Sequence, residues 1–338
     1  MKDLRYNYVI FNSVESKITF NPNGYYAICY NDIRDKDQVL CVDMPLQGKS
    51  KFLRFLYNIH HSARLNSIIK IPFKELWYPY YFKESFLEKR DMCFVLQIRL
   101  PISYLLYLKK KYKGCKFVSI YRDLRRITEI KNPEYPDNPI FDLQMTIDKL
   151  EAEKYGWIHF DEIESKINVP VSEEYPLSDV FFAGKAKDRL PRLLEAYDIL
   201  TRADLKCSFY LTGVRKQDRV NLPGIVYADK FMPYSEMLYY TVNSRCVLEI
   251  NQVNAQGYTS RFLEAVMFNK KLITDNAAVK ESKFYTPNNI QCISTISDIS
   301  PDFVKNTDIV DYHYKDEFSP VHLIEKIDQE LSNKYGNL

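Results

Sequence analysis

The sequence predicts an α/β protein divided into two domains, each built around a parallel sheet. Strand-like and helix-like segments alternate regularly from residue 92 onwards, which is typical of βαβ units. The stretch 157–176 breaks this alternation with two prolines and many carboxylates, which indicates a linker. A chain of 338 residues also suits two domains of about 150 residues each. We therefore expect an amino-terminal domain over 1–165, a second domain over 176–318, and a final helix over 319–338 that could pack back on the first.

Short apolar segments open the first domain, and each is bounded by turn-forming residues. The predicted strands are 7–13, 25–30, 38–42, 92–98, 116–121 and 140–148. The predicted helical segments are 48–70, 102–114 and 149–156, the last two ended by glycine. The aromatic stretch LWYPYYF at 76–82 is predicted to be a loop because Pro79 interrupts it.

The second domain repeats the alternation with longer, more clearly amphipathic helices. Its predicted strands are 178–184, 207–213, 225–231, 246–250, 271–274 and 289–293. Its predicted helices are 189–203, 233–243 and about 259–268, and the closing helix of the chain is predicted at 320–334. Ligands of such sheets bind at the carboxyl ends of the strands, so the loops that follow the strands are where functional residues are expected.

Composition and the opening residues limit the class of protein. Hydrophobic residues make up 46% of the chain, with 27 Tyr and 20 Phe against 9 Gly, which argues against a disordered protein. Seven scattered cysteines without a CxxC pair are predicted to be buried thiols, not disulfides or zinc ligands. MKDLRYNYVIF has no features of a signal peptide, and no apolar run approaches bilayer length, so we expect a cytoplasmic location.

Two windows in the first domain, 44–74 and 92–122, contain six and seven basic residues and no acidic one. Both windows interleave these charges with aromatic and aliphatic residues, a pattern that can lie on an anionic membrane surface. The alternative is a pair of ordinary solvated helix faces over a core. Nucleic acid is not an expected partner, because the usual binding signatures are missing.

The sequence NQVNAQGYTSRFLEAV, after a predicted strand, indicates a helix start suited to an anion. Thr259 or Ser260 can cap the helix, Gly257 lies in the loop before it, and Arg261 adds a positive charge to the first turn. Glu264, one turn later, is suited to accept hydrogen bonds from sugar hydroxyls. The alternative is a capped helix in which Arg261 and Glu264 form a surface pair.

A second candidate anion site is the sequence AGKAKDR at 183–189. Gly184 lets the backbone approach a ligand closely, while Lys185 and Arg189 place positive charge where a strand gives way to a helix. The segment is neither a P-loop nor a GxGxxG dinucleotide fingerprint. Two anion sites in one domain, about a diphosphate apart, suggest a nucleotide ligand.

Several of these segments resemble one enzyme family. VFFAGKAKDRLPRLLEAYDILTRADLKCSFYLTG, followed by GYTSRFLEA and KKLIT, resembles the donor-binding half of GT-B glycosyltransferases, especially those of bacterial capsule and O-antigen polysaccharide synthesis. FDLQMTIDKLEAEKYG and CKFVSIYRD resemble the amino-terminal half of the same group. The resemblance implies two Rossmann-like domains facing each other across a cleft. It also implies a nucleotide diphosphate sugar as donor, an acceptor bound by the first domain, and no metal or other cofactor.

Carried over to this chain, the resemblance implies a role for each donor-site residue. Gly184, Lys185 and Arg189 would meet the diphosphate, and Ser260 and Arg261 would lie at the helix start beneath it. Glu264 would hold the ribose, and Phe231 and Met232 would border the base. Many retaining members carry E-G-F-G-x-x-x-x-E, and the corresponding run here is Gln256, Gly257, Tyr258, Thr259 and onward to Glu264. Gln256 replaces the first glutamate, and an amide offers no carboxylate.

An inverting enzyme needs a general base on the acceptor side, and two aspartates are candidates. Asp123 follows strand 116–121 and Asp43 follows strand 38–42, although a helix cap or an arginine partner is the alternative role for each. The pair His60–His61 is a further candidate, against two unrelated surface residues. Asp35-Lys36-Asp37 spells the metal-binding DxD of other transferases, but its charged surroundings favour an exposed turn.

The sequence and its resemblance to this family thus predict a glycosyltransferase that moves a sugar to a lipid-linked glycan acceptor at the inner face of the plasma membrane. The resemblance further implies that it needs no metal. Surface polysaccharides such as capsule or lipopolysaccharide are the expected products. The alternatives are a sugar-nucleotide epimerase of the same architecture and a non-catalytic assembly protein at the membrane surface.

Overall fold

The computed structural model describes residues 3–12, 24–42, 46, 50–69, 71–251 and 257–336. Within these residues the chain forms two compact units. The first contains Met1–Pro22, Tyr30–Phe160 and Ser319–Leu338, and the second contains Asn23–Cys29 and Asp161–Phe318, counting in each only the described residues. The chain therefore leaves each unit and later returns to it.

Strands and helices alternate in both halves of the chain. Up to residue 159 they are β1 (Asn7–Phe11), α1 (Tyr25–Cys29), α2 (Asn31–Arg34), β2 (Val39–Val42), α3 (Lys51–His60), α4 (Ala63–Ile68), β3 (Met92–Leu96), α5 (Ile102–Lys111), β4 (Lys116–Tyr121), α6 (Arg125–Lys131), β5 (Leu143–Thr146), α7 (Lys149–Tyr155) and β6 (Ile158–His159). After it they are β7 (Ser178–Lys185), α8 (Leu190–Arg202), β8 (Cys207–Thr212), β9 (Ile225–Ala228), α9 (Tyr234–Val242), β10 (Ser244–Glu249), α10 (Ser260–Met267), β11 (Lys271–Thr274), β12 (Ile290–Cys292), α11 (Pro301–Lys305) and α12 (Pro320–Tyr335).

Among the described residues, the first unit has a six-stranded parallel sheet in the order β2-β1-β3-β4-β5-β6. Its interior is unusually aromatic, which explains the high Tyr and Phe content. Phe94 stacks on Phe11 and on Phe117 of the neighbouring strands, with ring centroids 6.3 and 5.4 Å apart. Tyr104 of α5 packs on the same face of the sheet.

The sheet of the second unit is also parallel, with the order β12-β11-β10-β7-β8-β9 over the described residues. Strand β7 is central, and its apolar run from Val180 to Ala183 is buried, as expected for a parallel strand covered on both faces. The predicted fold class is therefore confirmed: the protein is α/β, with two Rossmann-like units.

Two predicted elements are wrong. Residues 25–30 were expected to form a strand, but Tyr25–Cys29 is helical and packs against α9 of the second unit, where Tyr25 meets Tyr234 edge to face. A five-residue apolar run does not distinguish a strand from a buried helical turn. Residues 76–82 were expected to be a loop, yet Lys74–Tyr80 forms a 3₁₀ helix that includes Pro79.

Helix α12 closes the chain but belongs to the first unit. Its buried face contains Leu323, Ile324, Ile327 and Leu331. The Asp328 carboxylate accepts hydrogen bonds from the Arg5 amide (3.0 Å) and the Tyr8 hydroxyl (2.7 Å), which fixes the helix to β1. The first unit therefore combines the amino-terminal part of the chain with its carboxyl-terminal helix.

The seven cysteines are free thiols, and five of them are buried. No helix in the described part of the chain combines the length and the apolar character needed to cross a bilayer.

Candidate functional site

The candidate site lies at the carboxyl edge of the second sheet, where the winding of the chain reverses. From β7 the chain moves outward through β8 to β9, and it then returns to β10 on the other side of β7. The carboxyl ends of β7 and β10 therefore lie at a topological switch point, where open α/β sheets usually form their ligand-binding crevice. Gly184 and Lys185 end β7, and Arg261 lies in the first turn of the helix that follows β10.

Two guanidinium groups converge on this point. Arg189 is only 5% exposed, and it donates to the Lys185 carbonyl from Nη2 (2.8 Å) and Nε (3.2 Å) and to the Ile250 carbonyl from Nη1. Arg261 donates from Nη2 to the Ala183 carbonyl. Both arginines are thus fixed by main-chain oxygens at the ends of β7 and β10.

Gly184 makes this convergence possible. The place that a Cβ would occupy at this residue is 2.5 Å from Nη2 of Arg261 and 3.4 Å from Nη2 of Arg189. Both guanidinium groups also lie over the Phe182 ring, 5.0 and 5.4 Å from its centroid. Any side chain at residue 184 would displace at least one of these cations.

The two guanidinium groups lie near carboxylates but are in direct contact with none of the described ones. Asp275 interacts electrostatically with Arg189, and Glu249 and Glu264 interact in the same way with Arg261. Within the described part of the chain, no carboxylate forms an ion pair with Arg189 or Arg261. Burial, and next the nearby Arg261, lower the pKa of Arg189 to about 10. Two cations held side by side in a partly desolvated crevice favour an anion with oxygen acceptors for both.

Helix α10 adds further donors beside the arginines. Its N-cap residue is Thr259, as expected, but the Thr259 hydroxyl donates to the Glu249 carboxylate and does not cap the helix. The N–H groups of the first turn therefore have no acceptor within the helix and no capping side chain. The helix dipole adds to their attraction for an anion. The expectation that a hydroxyl caps this helix is wrong because a strand-end carboxylate competes for it.

Glu249 is a site residue that sequence reasoning missed. It ends β10, is fully buried and accepts hydrogen bonds from the hydroxyls of Thr259 and Thr274. Burial raises its pKa. A glutamate that ends the apolar run CVLE was a signal available in the sequence, because the carboxyl ends of strands line such sites.

Glu264 occupies a more enclosed position than expected. It is 1% exposed and accepts a hydrogen bond from the Tyr234 hydroxyl (3.0 Å), which also bonds to the Glu164 carboxylate. Burial raises the pKa of Glu264 to about 8, Arg261 acts against this rise, and Glu249 adds to it. One hydroxyl thus faces two carboxyl groups, and burial favours the neutral form of Glu264.

The loop before α10 is held by a separate set of hydrogen bonds. Gly257 has φ of +83°, a value that favours glycine, and its carbonyl accepts from Nδ2 of Asn276 (2.8 Å). Tyr258 packs on Phe262 of the helix, with ring centroids 4.8 Å apart. Gln256, predicted to replace the first glutamate of the motif, lies outside the described residues.

Of the remaining donor-site predictions, Lys185 and Ser260 adjoin the arginine pair, whereas Phe231 and Met232 lie farther along the sheet. Lys185 is exposed at the end of β7, and Ser260 begins α10. Phe231 and Met232 lie between β9 and α9, two strands away from β7. They precede Tyr234, whose hydroxyl reaches Glu264, so this loop leads toward the Glu264 end of the site.

The base candidates belong to the first unit. Asp123 is exposed just after β4, and α6 begins behind it with Leu124 as N-cap. The nearby Arg125 pairs with Asp137 and Glu129 instead, so neither alternative role for Asp123, as a helix cap or as the partner of Arg125, is found among the described contacts. Asp43 lies outside the described residues.

The histidines and the DxD sequence have ordinary structural positions. His60 accepts a hydrogen bond at Nδ1 from Nε1 of Trp77 (2.8 Å), so its Nε2 carries the hydrogen and donates to the Pro72 carbonyl (2.7 Å). His61 stacks on Tyr57 at 4.1 Å, and burial lowers its pKa. Both rings therefore hold local structure, unlike the unrelated surface residues considered above. The run 35–37 forms an exposed turn, as predicted.

Comparison with solved structures finds similar folds at very low sequence identity. Trehalose-6-phosphate from E. coli bound with UDP-2-fluoro glucose has a TM-score of 0.49 and 10% identity, covering 98% of this chain and 99% of the other. A putative UDP-N-acetylglucosamine 2-epimerase from Listeria monocytogenes has a TM-score of 0.49 and 9% identity, covering 97% of each. TarM has a TM-score of 0.47 and 10% identity over 73% of this chain, which spans 55% of TarM.

No protein-family model matches the chain, and no curated protein matches its sequence. At such identities the likeness concerns the fold alone. The functional argument therefore depends on the residues of the site.

Proposed function

We propose that the protein is a glycosyltransferase that uses a nucleoside diphosphate sugar as donor. The observation that carries this proposal is the pair of guanidinium groups, Arg189 and Arg261, which meet at Gly184 beside the uncapped start of α10. Within the described residues they are bound only to main-chain carbonyls, and together with the helix amides they match the paired phosphates of a diphosphate.

In this proposal the site acts mainly by electrostatic stabilisation. As the bond from the sugar to the diphosphate breaks, negative charge develops on the departing phosphate. Arg189, Arg261 and the first-turn amides of α10 are already oriented toward it, so little reorganisation is needed. Lys185 would add a mobile charge from the end of β7. No divalent metal is required for this neutralisation.

The nucleoside would extend from the diphosphate toward Glu264. The Glu264 carboxyl would accept a hydrogen bond from a ribose hydroxyl in exchange for that of Tyr234, while Phe231 and Met232 would border the base. Gln256, Gly257, Tyr258, Thr259 and Ser260 would form the loop and helix start around the sugar phosphate.

We further propose that the acceptor is a lipid-linked glycan in the synthesis of a surface polysaccharide, such as capsule or lipopolysaccharide O-antigen. The resemblance of the sequence to that group of GT-B enzymes supports this assignment. The exposed carboxylate of Asp123, at the carboxyl edge of the first sheet, is our candidate for the base that removes the acceptor's hydroxyl proton. Asp43 is the second candidate. The protein would then act at the inner face of the plasma membrane.

Isothermal titration with UDP and GDP, with Mg²⁺ and with a chelator, tests the donor site. We expect one of the two nucleotides to bind with an affinity that does not depend on Mg²⁺. Arg261→Ala should weaken it roughly 10- to 100-fold, because a charge-assisted hydrogen bond contributes about 1.5–3 kcal/mol. Arg202→Ala is the matched control, since this arginine is exposed in the last turn of α8 and should bind as the wild type does. Equal affinity of Arg261→Ala and wild type would remove Arg261 from the site.

Product analysis then separates transfer from other reactions of nucleotide sugars. With the nucleotide sugar that binds best, a transferase releases nucleoside diphosphate in proportion to glycosylated lipid. Release of a modified sugar without any acceptor would show an epimerase instead. Binding without any turnover across a panel of lipid acceptors would favour a non-catalytic assembly protein.

A further inference from the structure

Helix α3 has its apolar stripe turned toward solvent. Phe52, Phe55, Leu56 and Ile59 follow the i, i+3, i+4, i+7 spacing of a single helix face, which in a globular protein normally packs on the core. Here Phe52 is 69% exposed and Phe55 57%, and none of the ten residues of α3 is buried. The helix thus presents the face that a soluble protein usually covers.

Exposed apolar side chains continue along the segments that follow α3. Leu65, Ile68 and Ile69 are exposed in and just after α4, and Phe73 and Leu76 at the start of the 3₁₀ helix Lys74–Tyr80. Single exposed apolar residues are common, but a continuous series marks a surface that binds a protein or a membrane. We refer to residues 51–69 and 71–76 as the 51–76 surface.

The opposite face of α3 is firmly attached to the first unit. Tyr57 packs against Trp77 and Tyr81, with ring centroids 5.3 and 6.2 Å apart. His60 joins the end of α3 to the 3₁₀ helix, because it accepts from Trp77 and donates to the Pro72 carbonyl. The outward direction of the stripe is therefore set by packing and by hydrogen bonds behind it.

Basic residues border the apolar stripe, and the 51–76 surface contains four described basic residues with exposed or half-buried side chains against one acidic residue, Glu75, near its end. Lys51, Arg54, Arg64 and Lys74 lie within the surface, and the sequence has no acidic residue between positions 44 and 74. Charge and apolar area are thus combined on one side of the first unit.

We propose that the 51–76 surface binds the anionic face of a lipid bilayer. The phenyl and aliphatic side chains would enter the boundary between headgroups and acyl chains, and the basic side chains would contact the lipid phosphates. A second copy of this chain fits less well, because a two-fold contact would bring the same basic residues against each other. The proposal concerns a surface outside the nucleotide site and stands independently of glycosyl transfer.

Co-sedimentation of the full-length protein with vesicles, without any nucleotide, tests the proposal. Neutral vesicles contain phosphatidylcholine alone, and anionic vesicles contain phosphatidylcholine with phosphatidylglycerol. We expect at least tenfold stronger binding to the anionic vesicles, decreasing as salt is raised. Failure of the wild type to sediment with anionic vesicles would overturn the proposal.

Substitutions distinguish the apolar from the basic contribution. Phe52→Ser/Phe55→Ser should weaken vesicle binding at least tenfold, whereas Val171→Ser/Ile309→Ser should not change it. The control residues are also exposed and apolar, but they lie in the second unit. Circular dichroism should show both double variants folded, because none of the four side chains is buried. Equal binding by the two double variants would contradict the proposed surface.

Charge reversal gives an independent readout. Lys51→Glu/Arg64→Glu should remove the preference for anionic vesicles, whereas Lys216→Glu/Lys305→Glu, with the same change in net charge on the second unit, should keep it. Sedimentation velocity tests the alternative that a second copy of this chain binds the 51–76 surface. A dimer that Phe52→Ser/Phe55→Ser converts to a monomer would assign the surface to self-association and would overturn membrane binding.

Discussion

At the level of single residues, Gly184 has the most direct influence on the candidate site. Its lack of a side chain leaves room for the ends of two arginines that come from different elements, the 3₁₀ segment before α8 and the first turn of α10. Glycine serves here in two ways, because it leaves space beside a ligand and because its φ of +158° is a value that other residues rarely adopt.

Replacing Gly184 with alanine should therefore weaken ligand binding, in addition to lowering stability through backbone strain. The new Cβ would displace the Arg261 guanidinium from the Ala183 carbonyl, and we expect nucleoside diphosphate to bind at least tenfold more weakly by titration calorimetry. Gly156→Ala is the control, because Gly156 has φ of +67° and open space around it. That variant should lose about 1 kcal/mol of stability and no affinity. Unchanged affinity in Gly184→Ala, or weakened affinity in Gly156→Ala, would contradict this role for Gly184.

Sequence reasoning identified part of this site and missed part of it for a physical reason. Gly184 and Arg261 could be placed together because adjacent parallel strands bring their carboxyl ends to one edge. Tyr234 and Glu164 could not, since they reach Glu264 only through the packing of α9 and of the segment after residue 160. The periodicity of hydrophobic residues along the sequence carries no information about such a contact.

At the level of elements, helix α12 shows how much the first unit depends on a distant segment. Ile327→Ala should lower its free energy of unfolding by about 2–4 kcal/mol, because the side chain is fully buried. Both tryptophans, Trp77 and Trp157, lie in the first unit, so their fluorescence during urea unfolding reports on that unit. The exposed Gln329 on the same helix gives the control, and Gln329→Ala should stay within about 0.5 kcal/mol of wild type. Equal urea midpoints for the two variants would show that the packing of α12 contributes little to the stability of the first unit.

Most elements could be predicted, because long βαβ alternation gives clear patterns for buried strands and amphipathic helices. The errors arose where tertiary contacts decide the structure. Residues 25–29 are helical in contact with α9, a partner that lies more than 200 residues away in the sequence. For α3 the amphipathic pattern predicted a helix correctly, but pattern alone does not say which face is turned to solvent.

At the level of the whole molecule, the buried carboxyls of the second unit should make its stability depend on pH. Burial raises the pKa of Glu264 from 4.5 to about 8 and also raises that of Glu249. A raised pKa means that the folded state holds the proton more tightly, so this stabilisation is complete below about pH 4.5 and is lost as pH rises through about 8. We expect the second unit to lose a few kcal/mol between about pH 5.5 and 8.5.

Hydrogen exchange measured by mass spectrometry at both pH values can follow the second unit separately. Glu264→Gln replaces the carboxyl with an uncharged amide of the same shape, so it should reduce the pH dependence of the stability of the second unit. Groups facing Glu264 are Tyr234, Arg261 and Glu249, and the same substitution leaves all three in place. An unchanged pH dependence in Glu264→Gln would assign the effect to another group.

The return of α12 to the first unit also determines the order of events during synthesis. The strands of the first unit have all been synthesised by residue 160, but the helix that covers Tyr8 and its neighbours is made only after residue 318. At about 5–20 residues per second, the first unit waits roughly 10–30 s with this apolar face uncovered. The second unit needs nothing beyond residue 318, so the half of the protein that is begun first is the one completed last.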